Sequence, residues 1–193
     1  MYLYKPSNNP SKFTCHMISF SQYLMEAEKR SGNYVSVKAM DPGNVWEEMH
    51  INPPKSGVAP PAGDYHATLM YSETSKEEPD RILDALKESG FDYEHVCIVQ
   101  SAECFDAEDA SKACIVLKLD SPSIHKMHDY LKSFGLVHSY HSFEPHVTLR
   151  YNMDLAEAHE YKALINTSLE TGNWAKTIFL QGLCSETINK NYV

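Results

Sequence analysis

The chain has 193 residues, 42% hydrophobic and 22% charged, which suits a single or bilobal folded domain with a sizeable core rather than a disordered chain. A formal charge of −9 argues against a broad basic surface for long DNA or RNA, but a few local cations suffice to hold a small nucleotide. The five cysteines are odd in number and form no C-x-x-C pair, and no apolar run approaches the roughly eighteen residues of a membrane span.

Reduced thiols are therefore expected, with neither a zinc knuckle nor a disulfide framework. The N-terminus lacks a basic segment followed by an apolar stretch, so a cytoplasmic protein without a membrane partner is expected.

In chain order, residues 1–12 read as a polar loop or arm around Lys5-Pro6-Ser7-Asn8-Asn9-Pro10-Ser11. Ser19 to Ser31 has Phe20, Tyr23, Leu24 and Ala27 at helical spacing, with Gly32 behind it. Residues 1–31 are thus expected to be an N-terminal arm and helix, and 32–193 the main domain.

Asn33 to Lys38 alternates as a half-buried strand. Val35 and Val37 face inward, and Tyr34, Ser36 and Lys38 outward. Asp41 to His50 suits a short helix with Trp46 packed inward. Ile51 to Gly63, with four prolines and two glycines, is a constrained loop. A strand at His66 to Ser72 precedes a helix over Ser75 to Ser89, with Pro79 early and Gly90 at its end. A strand over Glu94 to Gln100 and a turn around Asp106 to Ser111 come next. Ala113 to Leu119 is a further strand, and Ser121 and Pro122 open a helix ending at Gly135. A second histidine strand follows Glu144-Pro145. A helix over Leu155 to Ile165 and a strand from Lys176 to about Thr187 complete an α+β pattern with a largely antiparallel sheet.

The feature that organises the chain is a short repeat. His66-Ala67-Thr68-Leu69-Met70-Tyr71 and His146-Val147-Thr148-Leu149-Arg150-Tyr151 both read H-x-T-L-x-Y, with eighty residues between the histidines. On a regular strand His66, Thr68 and Met70 share one face, as do His146, Thr148 and Arg150, while Val147, Leu149 and Tyr151 point the other way. A buried face would favour Val or Ile over His and Thr, so these polar faces are expected to line a cleft. One imidazole can take a proton from an attacking hydroxyl while the other donates to the leaving oxygen. The two threonine hydroxyls, with backbone amides, can hold the non-bridging oxygens of a phosphate. Arg150 and Lys38 are candidates for added charge stabilisation. The pairs His125/His128 and His138/His141 lack partner cysteines or a third helical ligand. No metal site and no cofactor are expected.

The double H-x-T pattern resembles the 2H phosphoesterase superfamily, and within it the phage anti-CBASS nuclease family, which degrades the cyclic oligonucleotide signals of bacterial immunity. The resemblance spans residues 32–193. It is carried by Gly32-Asn33-Tyr34-Val35, Asp64-Tyr65-His66-Ala67-Thr68-Leu69-Met70-Tyr71-Ser72, Ile115-Val116-Leu117-Lys118-Leu119-Asp120 and Pro145-His146-Val147-Thr148-Leu149-Arg150-Tyr151. It implies two pseudo-symmetric antiparallel β lobes that form a concave groove, with the helices outside. It further implies His66 and His146 as catalytic, Thr68 and Thr148 as phosphate-positioning, and Tyr34 as a stacking surface for a base. Phe105, Glu186 and Tyr192 would also contact the ligand, although the family usually has Trp where Tyr192 stands.

The substrate implied is a cyclic di- or trinucleotide such as cGAMP, cleaved at a 3′–5′ bond without metal in the host cytoplasm, which lets a phage evade CBASS immunity. Two alternatives remain open at this point. One is an enzyme of RNA ends, hydrolysing a 2′,3′-cyclic phosphate or joining 2′–5′ bonds. The other is a sponge that sequesters cyclic nucleotides without cutting them.

Overall fold

Alternating small or branched apolar side chains build the sheet. In the computed structural model, which describes residues 2–5, 16–19, 32–40, 42–107, 109–174 and 177–188, Val35 and Val37 of strand β3 (Asn33–Met40) are fully buried. Two further strands, β1 (Tyr2–Lys5) and β2 (His16–Ser19), pair antiparallel as a separate two-stranded sheet. Strand β4 (His66–Ser72) carries the first histidine and β7 (His146–Asp154) the second. Strands β5 (His95–Asp106), β6 (Lys112–Asp120) and β8 (Thr177–Thr187) complete the main sheet.

The six strands run in the order β3-β4-β7-β6-β5-β8 and close on themselves. Strand β8 makes the closure, because Phe179 and Leu180 register with Met40 and Ala39 of β3 and also with Val96 and His95 of β5. All pairings are antiparallel. The histidine strands are neighbours, joined at Ala67 and Val147. The repeat therefore lies at the junction of two related halves, β3–β4 and β6–β7.

Helices cover the outside. A 3₁₀ turn (Pro42–Asn44) leads into α1 (Val45–Glu48), which buries Trp46. Helix α2 (Pro79–Glu88) has proline in its first turn, where the missing N–H costs no helical bond, and buries Ile82 and Leu86. Helix α3 (Pro122–Ser133) buries Ile124, Met127, His128 and Leu131 and packs on β4. Helix α4 (Leu155–Thr171) packs on β5, β6 and β7. No described helix is long and apolar enough to cross a membrane.

Several boundaries differ from the sequence reading. The expected arm at residues 1–12 contains strand β1. Its Tyr2-Leu3-Tyr4 run has strand propensity that the polar residues after it obscure. The helix expected over Ser19 to Ser31 begins where β2 ends, and residues 20–31 lie outside the described residues. Helix α4 runs six residues past Ile165 to Gly172, which closes it in a left-handed conformation at φ 71°. Asn166, a poor helix former, is held there by tertiary contact: its amide oxygen accepts from the Ala102 N–H at 2.7 Å, and its Nδ2 donates to the Ala102 carbonyl at 3.1 Å. Strand β5 likewise continues past Gln100, through a bulge between Val99 and Ser101, and so carries Phe105 to the groove.

Candidate active site

The local geometry of each motif departs from a regular strand at the same letter. Val35 pairs with Met70 and Ser36 with Thr68, so Leu69 is the extra residue of a β-bulge. Ile115 pairs with Arg150 and Val116 with Thr148, so Leu149 is the extra residue of a second one. His66, Thr68 and His146 line the groove; Thr148, two residues after His146 with no bulge between them, shares its strand face, and all four are half-buried. Beyond each bulge the alternation inverts. Met70 is fully buried and Tyr71 lines the cleft, contrary to the face expected for Met70.

The same inversion corrects the placement of Arg150. Its Nη2 donates to the Gly57 carbonyl at 3.0 Å, away from the histidines, and tethers β7 to the proline-rich loop. Gly57 sits so close to β7, at φ 73°, that a Cβ would meet the Tyr151 carbonyl at 2.6 Å. Tyr151, expected on the face of Val147 and Leu149, is 37% exposed while both of those are buried.

The two imidazoles are held alike. His66 Nδ1 bonds the Asp64 carbonyl at 2.7 Å, and His146 Nδ1 bonds the Glu144 carbonyl at 2.7 Å. A bond to a carbonyl fixes the proton on Nδ1 of the neutral ring and leaves Nε2 as the acceptor. Each ring also meets an aromatic edge-on: Tyr34 to His66 at 5.9 Å and Phe105 to His146 at 4.8 Å. In register opposite the histidines stand two lysines, Lys38 beside His66 and Lys118 beside His146. Lys118 pairs with the Glu144 carboxylate at 3.0 Å.

Burial holds His146 below the ordinary histidine range, opposed by its bond to the Glu144 carbonyl and by the Glu144 charge, and reinforced by His66 and Lys118. Tyr34 shares a 2.9 Å hydrogen bond with Thr68 Oγ1. Burial pushes its hydroxyl up to about 12, so it stays protonated near neutral pH.

Two cavities flank the histidines. One, of about 430 Å³, is lined by Tyr34, Ser36, Lys38, Asp64, His66, Cys184 and Glu186. The other, of about 670 Å³, lies on the His146 side and includes Thr68, Tyr71, Phe105, Tyr140 and Phe143. The structure thus brings Tyr34, Phe105 and Glu186 to the groove with both histidines. Glu186 registers with Tyr34 and accepts from Cys184 Sγ at 3.4 Å. Tyr192 lies outside the described residues.

Sequence reasoning missed Lys118, Tyr71 and the 137–143 segment. Lys118 and Tyr71 were legible only with the strand register and the bulges in hand. The segment contains His138, which with His128 packs around Phe143. His128 stacks on Phe143 at 3.8 Å and 1°, and its Nδ1 bonds the Leu69 carbonyl at the bulge at 2.8 Å. Among the described residues no group of three or more His, Cys, Asp or Glu side chains is placed to hold a metal ion.

Residues 31–174 match the family model described as anti-CBASS protein Acb1. Anti-CBASS protein Acb1 of Vibrio phage KVP40 is 28% identical over 122 residues, covering 63% of this chain and 73% of that protein. The protein of the same name from Salmonella phage S16 is 26% identical over 132 residues, covering 66% and 76%. In fold, the chain is similar to Usb1 of Kluyveromyces marxianus, with a TM-score of 0.50 and 11% identity over 84% of this chain and 96% of that one. That likeness is one of fold. The match over residues 31–174 spans most of the sequence, and the chain belongs to the anti-CBASS protein Acb1 family.

Proposed function

We propose that this protein is a phage phosphodiesterase that opens a cyclic di- or trinucleotide of the cGAMP type, and so disables CBASS signalling. Residues 32–193 would carry the chemistry. The observation that supports it most is the matched presentation of His66 and His146 on adjacent strands, each Nδ1 tied to the carbonyl two residues upstream. That leaves two Nε2 atoms at one groove, one to accept a proton as the neutral ring and the other to donate as the imidazolium, as acid–base cleavage of a phosphodiester requires.

His146, kept neutral by burial, accepts the proton of a ribose 2′-hydroxyl. The freed oxygen attacks the adjacent phosphorus, and a 2′,3′-cyclic phosphate forms as the P–O5′ bond breaks. His66 supplies the proton to the departing 5′-oxygen. Thr68 and Thr148 hold the non-bridging oxygens, with Thr68 fixed by the protonated Tyr34 hydroxyl. Lys38 offsets phosphate charge on the His66 side. Tyr34, Phe105 and Glu186 contact bases, and stacking tolerates more than one base; Tyr192 is assigned there by family resemblance alone.

A direct test incubates the protein with a cyclic dinucleotide, its 2′-deoxy analogue and a 2′,3′-cyclic phosphate RNA end, all in EDTA, and resolves the products by chromatography. The ribose dinucleotide is expected to be linearised and the 2′-deoxy analogue to bind uncut. Cleavage of the deoxy analogue at the normal rate would rule out internal attack. Binding without cleavage of either would make the protein a sponge, and exclusive action on the RNA end would make it an end-processing enzyme.

A further inference from the structure

The two cavities beside the histidines share only Tyr34 as a lining residue. The larger is walled by segment 137–143, for which the reaction above has no use. That segment is firmly attached. The Ser139 N–H donates to the Tyr71 carbonyl at 2.8 Å, and Ser139 Oγ accepts from the Glu73 N–H at 2.9 Å. His138 Nδ1 accepts from the Tyr71 N–H at 3.3 Å. At the other end Phe143 is locked against His128.

Between these anchors stands Tyr140, 64% exposed although it lines the cleft. Its ring lies 5.4 Å from Tyr71, tilted by 33°, and stays largely open to the cleft. Phe143 is engaged by His128, and Phe105 by His146. His138, accepting at Nδ1, carries its proton on Nε2 and is a donor beside Tyr140, 5.6 Å away between ring centres. A flat aromatic surface, fixed in advance and flanked by a neutral donor, suits a planar heterocycle. Thr68 and His146 both line this cavity, so a phosphodiester held by them would have one of its nucleosides beside it.

We propose that Tyr140 is a stacking platform for a nucleobase of the cyclic oligonucleotide on the His146 side of the groove, with His138 as an adjacent donor. The inference rests on the cyclic-oligonucleotide reading above. Tyr140 is a specificity residue here, because it touches substrate away from the reacting atoms. A platform of this kind raises affinity for the cyclic substrate and leaves the chemical step alone.

The test compares wild type with Tyr140→Ala, Tyr140→Leu and Tyr140→Phe on a ribose cyclic dinucleotide, with circular dichroism to verify folding. Stacking on one base corresponds to roughly 5- to 150-fold in binding, so Ala and Leu are expected to raise KM within that range. Their kcat should stay within about threefold of wild type, and Phe, which keeps the ring, should restore KM. Unchanged KM in folded Tyr140→Ala, or equal recovery with Leu and Phe, overturns the platform while leaving the proposed function intact. A wild-type protein that neither binds nor cleaves the cyclic dinucleotide overturns both.

Discussion

Leu69 and Leu149 stand in the same place in two strands eighty residues apart, and each is the extra residue of a β-bulge. Both are buried, at 0% and 1% exposure. Each bulge keeps the preceding His and Thr toward the groove and turns the following residue away. The repeated letter L thus records a backbone device, and the pseudo-symmetry of the site follows from it.

Arg150 tests the second bulge. With its guanidinium on the Gly57 carbonyl, Arg150→Met should destabilise by about 1–3 kcal/mol, the cost of leaving a partly buried acceptor unpaired. Urea unfolding measures this, and kcat for cyclic dinucleotide cleavage should stay within about threefold. A large fall in kcat with unchanged stability would instead place the guanidinium at the phosphate.

The Glu144 charge raises His146 while burial lowers it. Removing the charge in Glu144→Gln takes away a raising influence, so His146 becomes harder to protonate. The acidic limb of the kcat/KM profile, which reports the base of the free enzyme, should move to lower pH. Lys118→Met removes a lowering influence and should move it the opposite way. A limb that shifts in neither variant would assign the base elsewhere.

His95, His128 and His138 are all held below the ordinary histidine range, in each case chiefly by burial. The unfolded chain then binds protons more readily than the folded one. Stability is full above the ordinary histidine value near pH 6.5 and falls as pH drops below it. His128 faces His125, Asp129, Lys132 and His138, and bonds the Leu69 carbonyl. His128→Asn keeps a donor there without a titrating ring. Its urea midpoint should therefore decline less between about pH 7 and pH 5.5 than that of wild type. An equal decline would exclude His128 as a contributor.

Much of the fold was legible because its signals are local. Val35 and Val37 alternate, and Pro79, Pro122, Gly90 and Gly135 punctuate two helices. What escaped the sequence is non-local. Asn166 extends α4 through a contact with Ala102, sixty-four residues away. Glu157 accepts backbone N–H bonds from Lys55 and Ser56, and Tyr161 donates to the Asn52 carbonyl, so the proline-rich loop is fixed from a distant helix. At the site, His66, Thr68, His146 and Thr148 stood out by repetition. Lys118 became visible only through its register with His146, and Arg150 was misplaced because strand parity fails at a bulge.

The most direct measurement pairs turnover with affinity for His66→Ala and His146→Ala on a ribose cyclic dinucleotide. Each variant is expected to lose roughly 10²–10⁴-fold in kcat, the range for acid–base groups, while calorimetry gives a Kd within a fewfold of wild type. Near-wild-type turnover in either folded variant would contradict the proposal that this histidine pair cleaves the phosphodiester.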